Sequence, residues 1–299
     1  MISLDRLRAL HAVVSYGTLN AAADALSVTP SAVSQQIAKL ERETGEQLIE
    51  KRGRGVVLTD AGQALAGYAE RALSVLREAE ADLDARRSIV AGEVRVGAFA
   101  TAVRGLAPRA LQALQREHPQ LQVRIEEAEP ADAVLRLERG DVDLAIAQDW
   151  LNQPLRVPAG LARAPLFDDV VDIALPHSHP LAARHTLSID ELAAEPWISW
   201  QAGTICHDWL MLTLRRQGSE PDVRHNALEY ATQLALVAAG LGVAMLPRLG
   251  RGHVPDDVRI VAVTPVLTRH VYALWRADAA RRTSILATVG AFRRAAELA

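Results

Sequence analysis

The sequence predicts an N-terminal all-α winged helix-turn-helix, a long linker helix and a C-terminal α/β domain of two lobes. Three observations carry this. Two short helical segments meet at a tight turn and lead into a Gly-Arg-Gly hairpin near residue 54. A longer helical segment repeats its apolar residues every three and four positions. From residue 92 onward, apolar strands alternate with amphipathic helices, the order of a parallel sheet with crossover connections.

Leu4, Leu7, Leu10, Val13 and Val14 recur at helical spacing, so residues 3–16 read as an amphipathic helix stopped by Gly17. Thr18 caps a second helix, 19–26, whose interior is Ala21, Ala22, Ala23 and Ala25. Small side chains there let another helix cross closely. After the turn Ser27-Val28, Thr29 caps a third helix with Pro30 at its first position, where a missing N–H is harmless. Val33, Ile37 and Leu40 form its buried stripe, and Gly45 ends it.

Two helices joined by a tight turn make a helix-turn-helix. The outward face of the third helix offers Thr29, Pro30, Ser31, Ser34, Gln35 and Lys39. Hydroxyls and an amide near a helix start suit base edges, and a helix N-terminus suits phosphate. A plain three-helix bundle with a polar surface is the competing reading. The hairpin 48–58 weighs against it, because the arginine at its tip, Arg54, beside a helix-turn-helix can reach the DNA backbone or minor groove. Bulk charge is silent. The net charge is −3, and the seven basic residues among the first sixty are matched by seven acidic ones.

Thr59 caps a helix over about 60–89. Leu65, Ala69, Ala72, Leu76, Ala79 and Leu83 form a heptad seam, which predicts pairing with a second copy of the chain.

The run from Leu19 to Glu41, Leu-Asn-Ala-Ala-Ala-Asp-Ala-Leu-Ser-Val-Thr-Pro-Ser-Ala-Val-Ser-Gln-Gln-Ile-Ala-Lys-Leu-Glu, resembles the signature of LysR-type transcriptional regulators. Leu58-Thr-Asp-Ala-Gly62 adds to the likeness. So do the weaker marks Glu117-His-Pro119, Gly140-Asp-Val-Asp-Leu-Ala-Ile146 and Gly240-Leu-Gly-Val-Ala-Met-Leu-Pro247. The resemblance implies a homodimer or homotetramer on promoter DNA, contact with RNA polymerase, and a C-terminal domain like a type 2 periplasmic binding protein. On the matching positions it implies base contact by Pro30, Ser31, Ser34 and Gln35, with Lys51 and Arg54 on the backbone or minor groove. Many members of that family carry arginine where Gln35 stands; a glutamine prefers adenine in a bidentate contact. Ile49 stands where the family often has phenylalanine, a packing difference.

In the C-terminal part, strands are expected at 92–99, 123–127 and 142–147, with helices at 106–117 and 130–139. A second set follows: a strand at 166–175, a short helix at 188–194, a strand at 197–200, a helix at 205–217, a strand at 223–226, a helix at 229–239 and a strand at 242–246. A strand at 269–275 returns, and a helix over 284–298 closes the chain. The domain boundaries expected are 1–58, 59–90 and 91–299, with one lobe from 91–165 and 266–299 and the other from 166–265. Ligands of such folds sit at the C-terminal ends of strands. The expected effector cleft is therefore lined by Ala100, Thr101 and Ala102, by Gln148 and Trp150, by Gln201, Thr204 and Ile205, and by Asn226 and Pro247. Thr204 at a helix start suits a carboxylate, and Trp150 and Trp200 serve equally as core. This chemistry points to a small organic acid or an aromatic molecule.

Other signals are weaker. His177 and His179 lie between Pro176 and Pro180 without a supporting ligand cluster, so no metal or other cofactor is expected. Cys206-His207 lacks the geometry of a nucleophile and base, and Cys206 reads as a structural, half-buried thiol. A lone cysteine fits a reducing compartment. The first residues carry charge in their first apolar turn, and no stretch approaches the roughly 18 apolar residues of a membrane span. The expected location is the cytoplasm, at the nucleoid through DNA binding, with no membrane. The alternative, a solute-binding protein or enzyme on the same two-lobed fold, needs a signal peptide or a catalytic constellation and leaves the winged N-terminus without a role.

Overall fold

The structure, a computed structural model, describes every residue except Met1, Arg54, Arg87, Ser88, Gln217, Ser219 and Ala299, and does not describe the Lys51 side chain. The chain divides into two compact units. One comprises residues 1–88 with 139–141 and 278–283; the other comprises the remainder.

The N-terminal unit contains α1 (Leu4–Tyr16), α2 (Leu19–Ala25), α3 (Pro30–Thr44), the hairpin strands β1 (Ile49–Arg52) and β2 (Gly55–Leu58), and α4 (Asp60–Ala85). Its helix ends follow the local chemistry. The Thr18, Thr29 and Thr59 hydroxyls accept hydrogen bonds from the N–H groups of Ala21, Ala32 and Gly62. Gly17 and Gly45 take the left-handed conformation that ends α1 and α3. The turn between α2 and α3 places Ser27 at φ 55, an uncommon angle for a residue other than glycine.

Ala22 and Ala23 are fully buried where the helices cross, with Leu10, Val13, Val33, Ile37, Leu40 and Leu48 around them. Leu4 and Val14, expected on the buried stripe of α1, are exposed. The buried face of α1 is Ala9, Leu10, Ala12 and Val13, because the helix is covered on a narrower arc than the apolar spacing suggests. The α3–β1 junction is tied by Glu41, whose carboxylate accepts the N–H groups of Leu48 and Ile49 at 2.9 and 3.3 Å. The hairpin base closes on α4. Thr59 donates its hydroxyl to the Gln47 carbonyl at 2.6 Å, and its N–H to that of Leu48 at 3.1 Å. Farther along, Glu70 pairs with His11 of α1 and with Arg77. The His11 hydrogen bond, aided by Arg77, lowers the pKa of the Glu70 carboxyl to about 2.

The expected heptad seam of α4 has two fates. Leu65 packs against the helix-turn-helix core and Ala69 is buried. Leu76, Ala79 and Leu83 are exposed, and Tyr68 and Val75 with them. Of the expected seam, the later positions are the exposed ones.

The C-terminal unit begins with β3 (Gly92–Ala98), α5 (Ala100–Gly105), α6 (Ala107–Glu117), β4 (Leu121–Glu127), α7 (Pro130–Arg139) and β5 (Leu144–Trp150). It continues with β6 (Leu161–Pro176), β7 (Thr186–Leu187), β8 (Pro196–Ser199), α8 (Ile205–Arg216), β9 (Asp222–Asn226), α9 (Tyr230–Ala238), β10 (Val243–Pro247), β11 (Val258–Val263), β12 (Leu267–Arg276) and α10 (Thr283–Ala296). The strand order is β4-β3-β5-β12-β6-β10-β8-β9, with β11 pairing β6 and β7. Each lobe has a parallel trio, β4-β3-β5 in one and β10-β8-β9 in the other. The long antiparallel strands β6 and β12 join them.

Each lobe has its own apolar core. One gathers Ala133, Val134, Leu137, Val142 and Leu274; the other gathers Ile173, Leu175, Trp197, Trp209, Leu210, Leu214 and Val237. Four elements depart from expectation in kind, extent or presence. Ala100–Ala102 form the first turn of α5 and not a loop. The strand expected from Leu166 begins at Leu161, because its first half pairs with the second half of β12. β7 and β11 have no counterpart among the expected elements.

Candidate nucleic-acid interface and effector cleft

On α3, the buried stripe Val33, Ile37 and Leu40 fixes which side chains face outward. Thr29, Pro30, Ser31, Ser34, Gln35 and Lys39 are all exposed. They form one polar surface over the helix start and the two turns after it. The Thr29 hydroxyl is already engaged as the cap of α3, accepting the Ala32 N–H at 3.2 Å. Lys51 stands on β1. Arg54 lies outside the described residues. The hairpin pairs Ile49 with Leu58 through Arg52 with Gly55, so its tip falls between Arg52 and Gly55, with Gly53 at φ 61. A polar helix face and a hairpin beside it, with no acidic side chain among the outward α3 residues named, suit a nucleic-acid backbone and its groove edges.

In the C-terminal unit the expected cleft residues do not form one open pocket. Thr101, Ala102, Gln148, Trp150 and Pro247 are buried; Ala100, Thr204 and Ile205 are half-buried; Gln201 and Asn226 are exposed. Trp150 stacks on Trp209 with ring centroids 4.0 Å apart, which makes it a core element of α8 packing. Trp200 meets Tyr230 edge-on at 5.3 Å. The Thr204 hydroxyl donates to the Gln201 carbonyl at 2.8 Å and accepts from the His207 N–H at 3.4 Å. It closes a local turn and is not free for a carboxylate. Gln148 donates its amide to the Cys206 sulfur at 3.3 Å.

The centre of this region is a charged group that sequence reading did not single out. Arg269 of β12 is 1% exposed. It stands opposite Trp150 of β5 on one side and Asp169 of β6 on the other. Its guanidinium donates to one Asp169 carboxylate oxygen at 2.8 and 2.7 Å and to the Thr101 hydroxyl at 2.7 Å. The other Asp169 oxygen accepts the Leu249 N–H at 2.9 Å. A continuous polar relay therefore runs from α5 through β12 and β6 to the segment after β10. It ties one lobe to the other. A buried ion pair needs further hydrogen bonds to offset its desolvation; here Nε and Nη2 of Arg269 and both carboxylate oxygens of Asp169 have partners. Two charged residues on strand faces, Asp169 and Arg269, were the available signal.

Tyr230 and Cys206 flank Arg269. Burial raises the pKa of both, so each is held neutral, as a phenol and a thiol. His207 turns its Nδ1 to the Trp200 carbonyl at 3.1 Å and not to Cys206. Cys206, expected half-buried, is buried. His179 binds the Leu181 N–H through Nδ1 and pairs with Glu195. Beside the relay opens a cavity of about 360 Å³, to which only Thr101 and Pro247 of the expected residues contribute. No helix among the described residues is long and apolar enough to cross a membrane.

Comparison with known proteins agrees with this architecture. Residues 4–63 match the family model for the bacterial regulatory helix-turn-helix protein, lysR family. Residues 88–297 match that for the LysR substrate binding domain. Among curated relatives, the "Probable hydrogen peroxide-inducible genes activator" of Mycobacterium leprae is 31% identical over 243 residues, covering 81% of this chain and 76% of that one. The "HTH-type transcriptional activator IlvY" of Salmonella typhimurium is 28% identical, covering 79% of each. A full-length OxyR variant from Pseudomonas aeruginosa shares the fold at a TM-score of 0.73 and 24% identity, over 98% of each chain. CbnR, solved in complex with its target DNA, does so at 0.57 and 20% identity, over 98% of this chain and 100% of that one. With both parts of the chain matched by models of one family, the chain belongs to the LysR family of bacterial transcriptional regulators.

Proposed function

We propose that this chain is a sequence-specific transcription regulator, not an enzyme, that acts in the cytoplasm at the nucleoid. It binds promoter DNA as a homodimer or homotetramer, contacts RNA polymerase, and responds to a small molecule bound between its two lobes. The observation that carries the reading is the exposed polar face of α3, capped at Thr29 and held by a fully buried apolar stripe. The proposed division is 1–58 for DNA binding, 59–90 for the linker and 91–299 for effector binding, with lobes of 91–165 plus 266–299 and of 166–265. The exposed Leu76, Ala79 and Leu83 on α4 support pairing between copies.

Gel shifts with the chain's own upstream DNA, run across a salt series, test the reading. Sequence-specific, salt-sensitive binding is expected; its absence overturns the proposal. Gln35→Ala is expected to weaken discrimination at one base pair per half-site by roughly 1–3 kcal/mol. Lys39→Ala is expected to weaken binding to all sequences alike and to lower the salt slope.

Some relatives are named as activators of hydrogen peroxide-inducible genes. This chain has one cysteine, so no disulfide can form within it. Burial also holds Cys206 as a thiol, the less reactive form. We therefore read the response as non-covalent ligand binding that bears on the Thr101–Arg269–Asp169–Leu249 relay. A disulfide reagent is expected to label Cys206 at least about tenfold more slowly in the native chain than in urea. Equal rates count against this reading.

A further inference from the structure

The cavity beside the relay has a chemistry of its own. Its volume, about 360 Å³, falls in the range of small-molecule sites, roughly 300–1,000 Å³. Its walls are mainly apolar, from Leu234 of α9, Leu246 and Pro247 of β10, and Leu249 and Pro255 beyond. No acidic residue lines it among the described residues.

The cations in and near its lining differ in their freedom. Arg251 is consumed: its guanidinium binds Asp172 at 2.6 Å and the carbonyls of Leu246 and Pro247 at 2.8 and 3.2 Å. Arg248 also binds Asp172, through two bonds of 2.9 Å. Asp169 is held by Arg269 and the Leu249 N–H. Asp172 and Asp169 are therefore both paired. Arg104, at the last turn of α5, is different. Its Nε donates to the Gly250 carbonyl at 3.0 Å, which fixes the side chain. Its two terminal Nη groups have no hydrogen-bond partner among the described residues, and the residue is exposed. The guanidinium stands 5.8 Å from the Tyr230 ring centroid, at the mouth of the cavity.

The position is also tightly built. A Cβ on Gly250 would come within 2.4 Å of the Thr101 carbonyl, and one on Gly105 within 2.6 Å of Leu249. Two glycines thus let α5 of one lobe press directly on the segment after β10 of the other. A ligand here would touch both lobes at their seam.

We propose that this cavity binds a small monocarboxylate with an apolar body, its carboxylate on the Nη atoms of Arg104 and its body against Leu234, Leu246 and Pro255. The site, which Thr101 also lines, rests on the proposed reading that a small molecule binds between the two lobes and does not depend on the DNA-binding part of that reading. A planar guanidinium with two free donors matches a carboxylate in a bidentate fork. The apolar wall residues reward an apolar substituent and give nothing to a bare inorganic anion.

The test is calorimetric titration of the full-length chain with phenylacetate and hexanoate, with phenylacetamide as the neutral analogue and sulfate as the bare anion. Saturable binding of at least one of the two carboxylates, at one site per chain, is expected. Phenylacetamide should bind about tenfold more weakly than phenylacetate, from the loss of the charged hydrogen bonds, and sulfate should not saturate. Arg104→Gln should bring phenylacetate down to the level of phenylacetamide while leaving the latter unchanged. Ala231→Phe, from an exposed position of α9 that lines the cavity, should abolish both, with an unchanged thermal melt showing that the chain still folds. Failure of both carboxylates to bind, equal binding of acid and amide, or an Arg104→Gln chain that binds phenylacetate as before overturns the proposal. A chain that shifts its own DNA but binds neither carboxylate loses this site and keeps the regulator reading. A chain that binds carboxylate but no DNA does the reverse.

Discussion

Replacing Asp169 by alanine is expected to destabilise the C-terminal unit by about 3–5 kcal/mol, the range for leaving one partner of a buried ion pair uncompensated. Arg269 would keep its charge at 1% exposure, with only the Thr101 hydroxyl to hold it. The Leu249 N–H, now bonded to the other Asp169 oxygen, would lose its acceptor as well. All five tryptophans lie between residues 150 and 275, so tryptophan fluorescence in a urea titration reports on this unit alone. Apolar replacement of both partners, Asp169→Leu with Arg269→Met, should cost less than the single change, because it removes the stranded charge. A loss below about 1 kcal/mol for Asp169→Ala would show that the pair is not the lock between the lobes that its bonds describe.

The second large effect is expected at the base of the wing. A Cβ on Gly62 would stand 2.0 Å from the Leu48 carbonyl oxygen and 2.9 Å from its carbon. Both are backbone atoms, and the same oxygen accepts the Thr59 N–H. The start of α4 and the strand leading into the wing cannot both keep their places. Gly62→Ala is therefore expected to cost roughly 1–3 kcal/mol, as overpacking does. It should also lower affinity for specific DNA, since the hairpin is displaced relative to α3. Hydrogen exchange at the hairpin amides, with a gel shift, would read both. Gly67, on the same helix, has nothing within 4 Å of its Cβ position. Gly67→Ala should be neutral or stabilising by up to about 1 kcal/mol, because alanine loses less backbone entropy in a helix. If the two substitutions behave alike, the close approach to Leu48 is not what holds Gly62.

The contrast between these sites shows where sequence reading succeeds. The N-terminal unit is governed by local rules. Thr18, Thr29 and Thr59 cap helices because a hydroxyl next to a helix start has few better partners. Gly17 and Gly45 end helices because glycine enters the left-handed region freely. The outward positions of α3 follow from three buried apolar residues at helical spacing. Even so, Leu4 and Val14 are exposed, and Leu65 and Ala69 turn inward. Periodicity identifies an apolar face but not which neighbour covers it.

The effector region was less legible. Thr101 sits where a strand-end argument puts it, yet Thr204 spends its hydroxyl on its own turn, and Trp150 spends its ring on Trp209. Asp169 and Arg269 are separated by about a hundred residues, and nothing near either one names the other. The same holds for Arg104 and Gly250.

The sequence by itself determined the family, most of the elements in their order, the helix caps and the outward face of α3. Each depends on residues within a few positions of one another, where backbone stereochemistry and helical spacing leave few choices. Only the tertiary structure decided that Arg269 is the buried centre of the C-terminal unit, that Gly62 is required by a carbonyl at Leu48, and that Arg104 faces an open apolar cavity. Those facts arise from antiparallel register and close packing between distant segments, and a charge or a glycine acquires its role only from the partner that folding brings to it.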